Sequence, residues 1–359
     1  MKKIIILIIL SVLSISYTFC RRQKQNTQQA LFHNDEIKAW LKNDLGRYDI
    51  VKICSDNQNK LSASLSNGEV FVWQTCSGQK IYSIRVGKES QIEQFAFSHN
   101  GVYIATISYR VIYDTDSSGN NSNYCEINIT LWNAADGNMI NKFTFNQENT
   151  PDEIDFTLDD EKILLNNRGR VQIYELHAGI LLRENHSDAS FGSFSPRSSY
   201  NINYKKDRAH NISIAVLSIQ KDSLIFDLKT GINISKTLSM PHITKAASMS
   251  YDESLLALIS QDESTIKVWE MKTGNLTTSI PIRVPQLTCG CVSPSGKYLI
   301  GGSATGEINI WELNSGKIIL TYKDYPNYIN CVSWSTDERY VFAGFYNGSI
   351  LALRPFQQK

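Results

Sequence analysis

The chain has 359 residues, with 36 Lys plus Arg against 35 Asp plus Glu and a formal net charge of +1. That balance provides no field to steer a nucleic acid, and the length suits either two average domains or one large β domain. The six His residues are scattered, and Cys289-Gly-Cys291 has no second pair at metal-ligand spacing, so no zinc centre, other metal site or cofactor is expected.

Met1-Lys2-Lys3 is a basic start, Ile4 to Ile15 is almost wholly apolar, and Arg21-Arg22-Gln23-Lys24 is abruptly polar. This charge order reads as an export segment over residues 1–20. A cysteine at its end resembles a bacterial lipoprotein signal, which implies lipidation at Cys20 and a cell-envelope address. Ser14-Ile15-Ser16 offers ordinary cleavage and secretion instead, and residues 4–20 just reach the length of an uncleaved membrane anchor. Residues 21–34 are polar and Gln-rich and read as a flexible tether to one domain over 35–359.

From there an aromatic followed five positions later by glycine recurs: Trp73/Gly78, Trp132/Gly137, Tyr174/Gly179, Phe226/Gly231, Trp269/Gly274 and Trp311/Gly316. The aromatics are 59, 42, 52, 43 and 42 residues apart, and Leu353 stands 42 beyond Trp311 as a seventh copy. A period of 40–45 residues marks a propeller-like repeat. Within one unit, Leu255–Ile259 is a short apolar run, Thr265–Trp269 alternates, and Thr277–Ile280 follows a Gly turn; all have the period of strands. A further strand precedes each unit and ends in a turn such as Phe97-Ser98-His99-Asn100-Gly101, Phe194-Ser195-Pro196, Val292-Ser293-Pro294-Ser295-Gly296 or Trp334-Ser335-Thr336-Asp337. Four strands per unit make a small sheet that can bury its faces only by stacking on its neighbours.

The stretches SQDESTIKVWEMKTG, FSHNG, CVSPSGKYLIGGSATGEINIWELNSG and SWSTDERYVFAGFYNGSI resemble the WD40 repeat family over roughly residues 37–356. The resemblance implies an all-β, seven-bladed propeller of four-stranded antiparallel blades. The last unit supplies three strands, so Ile37–Lys42 is expected to pair with Ser349–Arg354 and close the ring. The chain departs from the family pattern. Gln74, Asn133, Glu175, Glu270, Glu312 and Arg354 stand where the family has Asp after the aromatic; Asp227 alone keeps it. The Gly-His pair before the first strand is absent.

The two long intervals hold the candidate recognition residues. One excess falls in 110–125, after a strand ending near Tyr109, and brings Arg110, Tyr113 and Tyr124 beside Tyr109; the other falls in 197–211 and brings Tyr200, Tyr204, Lys205, Lys206 and Arg208. Both are expected as loops, on the face where the family carries its connections between blades. Tyr-rich loops on a rigid scaffold suit recognition, although long loops are also tolerated at little entropic cost. Asp114, Asp116 and Asn120 do not complete a calcium loop. Cys54, Cys289, Cys291 and Cys331 are expected as packed thiols of innermost strands, and Cys76 and Cys125 as turn or loop residues.

No nucleophile elbow, phosphate loop or His-Glu-x-x-His occurs. The reading is a non-catalytic scaffold, a monomeric propeller presenting one face to a protein or peptide, with no nucleic-acid partner. The alternatives are a propeller hydrolase or lyase using the central channel, and a scaffold subunit of an envelope assembly complex.

Overall fold

The structure, a computed structural model, describes residues 40–42, 50–56, 61–87, 90–115, 121–167, 170–185, 191–194, 200–206, 212–218, 224–227, 244–260, 265–273, 275–282 and 286–356. Its described elements are all strands. They pair as seven four-stranded antiparallel sheets. The first holds β2 (Ile50–Ser55), β3 (Leu61–Ser66), β4 (Glu69–Gln74) and β5 (Lys80–Arg85). The second holds β6 (Gln91–Phe97), β7 (Tyr103–Thr115), β8 (Asn121–Asn133) and β9 (Met139–Gln147). The third holds β10 (Glu153–Phe156), β11 (Lys162–Asn167), β12 (Arg170–Glu175) and β13 (Leu181–Asn185). The fourth holds β14 (Phe191–Phe194), β15 (Tyr200–Lys206), β16 (Ile212–Ser218) and β17 (Leu224–Asp227). The fifth holds β18 (Thr244–Met249), β19 (Leu255–Ser260), β20 (Thr265–Glu270) and β21 (Leu276–Pro281). The sixth holds β22 (Leu287–Val292), β23 (Tyr298–Ser303), β24 (Ile308–Glu312) and β25 (Ile318–Tyr322). The last joins β26 (Ile329–Trp334), β27 (Val341–Phe345) and β28 (Ile350–Leu353) to β1 (Trp40–Lys42).

This is a propeller architecture of four-stranded antiparallel blades. First strands adjoin first strands: β18 lies by β22, β22 by β26, β26 by β2, β6 by β10 and β10 by β14. The third strands β4, β12 and β24 are buried but for their ends, whereas the outer strands β5, β9 and β25 alternate toward solvent. The core is therefore a set of slabs between sheets, each filled by residues from two neighbours. One slab combines Ile107, Ile129 and Leu131 of the second sheet with Ile154, Phe156, Ile163 and Tyr174 of the third.

Five sheets share one turn between their first and second strands. A buried or half-buried hydroxyl at its first position accepts a backbone N–H from five residues on: Tyr103 to Ser98, Lys162 to Thr157, Leu255 to Ser250, Tyr298 to Ser293, and Tyr340 to Ser335, all at 2.9–3.2 Å. The fourth residue has left-handed φ: Gly101 (70°), Asp160 (57°), Glu253 (59°), Gly296 (69°) and Glu338 (58°). Glycine adopts that conformation freely, whereas Asp and Glu do so under strain. Two of these carboxylates reach the turn of the preceding sheet. Asp160 accepts the N–H groups of His99 and Asn100, each at 2.7 Å, and Glu338 accepts that of Ser295 at 2.5 Å.

The two expected insertions are corrected. Residues 110–115 and 121–125 are strand, because β7 and β8 continue their ladder from Tyr109↔Ile127 to Thr115↔Asn121. Val111-Ile112-Tyr113 carries the β-branched and aromatic residues a ladder favours. Tyr200, Tyr204, Lys205 and Lys206 likewise lie in β15, paired with β14 on one side and β16 on the other. Tyr200, Ile202 and Tyr204 alternate there, beneath a polar composition that reads as loop. Cys125 is also a strand residue, not a loop one.

Candidate functional site

The sheet of β6–β9 differs from the others in length. β7 and β8 have 13 residues each and β9 has nine, against five or six for β5, β13, β21 and β25. The first strand stops pairing at Gln91↔Tyr109 and the outer strand at Cys125↔Gln147. Beyond them, Ile112↔Tyr124 to Thr115↔Asn121 form a two-stranded projection.

Exposure rises toward its tip along the face that Tyr109, Val111 and Tyr113 share. Tyr109 is half-buried on the slab of the second and third sheets, and burial, with Glu93 and Cys125 nearby, raises its phenol pKa. Tyr124 and Ile112 are half-buried. Tyr113 is 78% exposed and Val111 42%. Arg110 grips Glu126 across the ladder with Nε to Oε1 at 2.9 Å and Nη2 to Oε2 at 3.0 Å, and this pairing lowers the Glu126 pKa. The fork fixes the base of the projection while the apolar tips stay in solvent. Glu126 and Val111 were not singled out in the sequence; their pairing partners mark them only once the register is known. Arg208 and Cys20 lie outside the described residues.

Beside the projection, a groove of about 730 Å³ separates the end of β9 from the third sheet. Consecutive residues from Phe145 to Asn149 border it, as do Arg170, Gln172 and Tyr174 of β12. Amides close one end. Asn167 Nδ2 donates to Gln147 Oε1 (2.8 Å), Gln147 Nε2 to Gln172 Oε1 (2.6 Å), and Gln172 Nε2 to Glu184 Oε1 (3.3 Å). At the other end Phe145 stacks on Tyr174 at 5.1 Å.

The first strands are less uniformly apolar than expected. Phe95, Phe156, Phe194 and Trp334 are buried, but Lys52 and Glu153 also stand there, largely buried, with Nζ and Oε1 4.0 Å apart. Lys52 also lies over the Phe95 ring at 5.6 Å, and Glu153 accepts the Phe194 N–H at 2.7 Å. Burial pushes the Glu153 carboxyl up to about 7; Lys52 and the Phe194 N–H oppose this, while Asp155 and Asp152 add to it. These groups tie β2, β6, β10 and β14 together.

The thiols are packed. Cys289 and Cys331 face Gly302 and Gly344 in their ladders. A Cβ on Gly302 would meet Ile329 at 2.6 Å and Cys289 Sγ at 3.0 Å, and one on Gly344 would meet Ile50 at 2.4 Å and Cys331 Sγ at 2.7 Å. Each glycine thus admits an isoleucine from the next sheet. Burial raises Cys54 to about 12 and raises Cys291 and Cys331, so their thiolates are suppressed. Cys76 is exposed in the β4–β5 turn.

The family model of the WD domain, G-beta repeat, matches residues 316–351, from β25 through β26 and β27 into β28. The chain is 27% identical over 115 residues to Autophagy-related protein 16 of Arabidopsis thaliana, covering 31% of this chain and 22% of that protein. It is 27% identical over 125 residues to the U3 small nucleolar RNA-associated protein 15 homolog of Bos taurus, covering 34% and 23%, and 28% identical over 64 residues to Protein NEDD1 of Homo sapiens, covering 18% and 10%. The alignments span less than a quarter of those relatives' lengths. A bacterial cell-envelope address is overturned by them: all three relatives are eukaryotic, and two are named for autophagy and for small nucleolar RNA. The chain thus has four-stranded antiparallel blades arranged as a propeller, matches the WD repeat over residues 316–351, and is similar over part of its length to these larger proteins.

Proposed function

We propose that the chain is a non-catalytic protein-interaction platform, one propeller of seven blades that presents the side bearing the β7–β8 projection to a protein or peptide. Seven four-stranded sheets and the register Trp40↔Ala352, Leu41↔Leu351 and Lys42↔Ile350 support a ring closed by β1 on β28. The observation that carries the recognition reading is the projection itself. Tyr113 is exposed on a two-stranded ladder that no third strand covers among the described residues, and Val111 is exposed at its foot, above a base held by Arg110–Glu126. A rigid aromatic anchor with a fixed base loses little entropy on binding. The polar groups on the first strands support a structural role over catalysis, because Lys52 and Glu153 are engaged in joining sheets.

The test is a crosslinking capture with the full chain and with Val111→Ser/Tyr113→Ala. The double variant should lose at least ten-fold in capture of the wild-type partner set, at an unchanged circular dichroism spectrum. Equal capture by both proteins would remove the projection from the interface.

A further inference from the structure

β7 and β8 pair one to one from Tyr103↔Asn133 to Thr115↔Asn121, with no bulge. β6 leaves β7 at Gln91↔Tyr109, so residues 110–115 carry no strand on that side among the described residues. Every second residue there turns its N–H and C=O away from β8. Sheets protect such an edge with a bulge, a proline, a lysine or a very short strand. This edge has none of them. It reads Arg110-Val111-Ile112-Tyr113-Asp114-Thr115, a regular strand with β-branched and aromatic residues at its centre. The opposite edge of the projection, Asn121-Ser122-Asn123-Tyr124, is polar but for its last residue. The two charges on the β7 edge, Arg110 and Asp114, flank the apolar centre and differ in sign, so an antiparallel second copy meets attraction at both ends.

Adjacent strand residues turn their backbone groups to opposite sides, so a two-fold axis between two such edges falls on a residue. An axis at Ile112 sets Ile112 opposite Ile112 of the second copy, Val111 opposite Tyr113, and Arg110 opposite Asp114. The centre is then an aliphatic pair between two aromatic–β-branched pairs, kinds that stabilise antiparallel ladders. Shifted registers lose these matches. An axis at Val111 sets Arg110 opposite Ile112, and one at Tyr113 sets Asp114 opposite Ile112. Glu126 already meets Arg110 at 2.9 Å, so the end pairs set the register more than the affinity. Two such edges exchange about four to six backbone hydrogen bonds. A stable interface buries about 1,200–2,000 Å², and a strand pair of this length buries less, so the association is weak and concentration-dependent.

We propose that the β7 edge pairs with the same edge of a second copy, antiparallel about Ile112, and makes a weak two-fold dimer of a chain expected from its sequence as a monomer. Val111 and Tyr113 of both copies then share one face of a four-stranded sheet, which joins their exposed side chains into one strip. The dimer rests on the reading that the projection is the contact element, and it requires no other partner.

The experiment is sedimentation velocity of the full chain across about 1–200 µM, the range of a weak complex. It compares wild type with Ile112→Lys, Asp114→Arg and Ser122→Lys, with hydrogen exchange at both ends of the range. Wild type should move toward the dimer with concentration and slow its exchange within 110–114 as it does so. Ile112→Lys sets like charges at the axis and should weaken association at least ten-fold. Asp114→Arg, at the tip, should weaken it at least three-fold at an unchanged circular dichroism spectrum. Ser122→Lys, on the polar edge, should associate as wild type does. A chain that stays monomeric, or a dimer protected outside 110–114 and indifferent to both edge variants, would overturn the proposal. The platform reading would still stand if Val111→Ser/Tyr113→Ala loses its captured partners. A dimer protected at 110–114 whose double variant keeps those partners would support the pairing and sink the platform alone.

Discussion

Trp132 donates its buried Nε1–H to Thr106 Oγ1 at 2.9 Å. Ile104 pairs with Trp132 and Leu256 with Trp269, so Leu258 occupies the place of Thr106 two residues on. The Trp269 Nε1–H accordingly has no acceptor among the described residues. Thr106→Val should therefore cost about 1–3 kcal/mol in urea unfolding, the penalty for orphaning a buried donor. Gly344→Ala should cost about 1–3 kcal/mol in the same assay, because its Cβ would meet Ile50 Cγ2 at 2.4 Å. Alkylation of the folded chain should modify Cys76 within minutes and spare Cys54, Cys291 and Cys331 until denaturant is added. The sequence places Cys289 and Cys331 as packed thiols of equivalent innermost strands, 42 residues apart. The glycines opposite them were not legible there, because a close approach across a ladder leaves no mark in one strand.

At the level of elements, the shared hydroxyl turn explains how the units repeat although most positions after the aromatic are not Asp and no Gly-His pair precedes the first strands. Five turns satisfy their own backbone, and Asp160 and Glu338 clasp the preceding turn. Asp160→Ala removes two charge-assisted acceptors and should destabilise by about 2–3 kcal/mol, most of it lost also in Asp160→Asn. The strand periods of the fifth, sixth and last sheets were legible almost to the residue, since their strands alternate cleanly between Gly and Ser turns. The long intervals were legible as excess length but not as strand. Their Asn, Asp, Ser and Lys content suits loops, and pairing on a neighbour overrides that preference. The groove was invisible in the sequence because its walls belong to different sheets.

For the molecule as a whole, the contact between first strands carries a pH dependence. Glu153 has its carboxyl raised to about 7, so the native chain holds that proton more tightly than the unfolded one. Its contribution is full below the ordinary carboxylate range and is lost as pH rises through about 7. Thermal stability should decline from pH 5 to pH 8 by on the order of 2 kcal/mol, and Glu153→Gln should flatten that decline. A chain whose profile is equally steep with Gln at this position would place the titration elsewhere. On the proposed platform reading, the lengthened blade recognises a partner without carrying the fold. The direct test replaces residues 112–124 with Asn-Gly, a two-residue turn joining Val111 to Cys125. Partner capture and thermal unfolding are then measured on the same preparation. The account predicts a midpoint within about 3 °C of wild type and loss of the captured partner set. A folded variant that captures the same partners as before would contradict it.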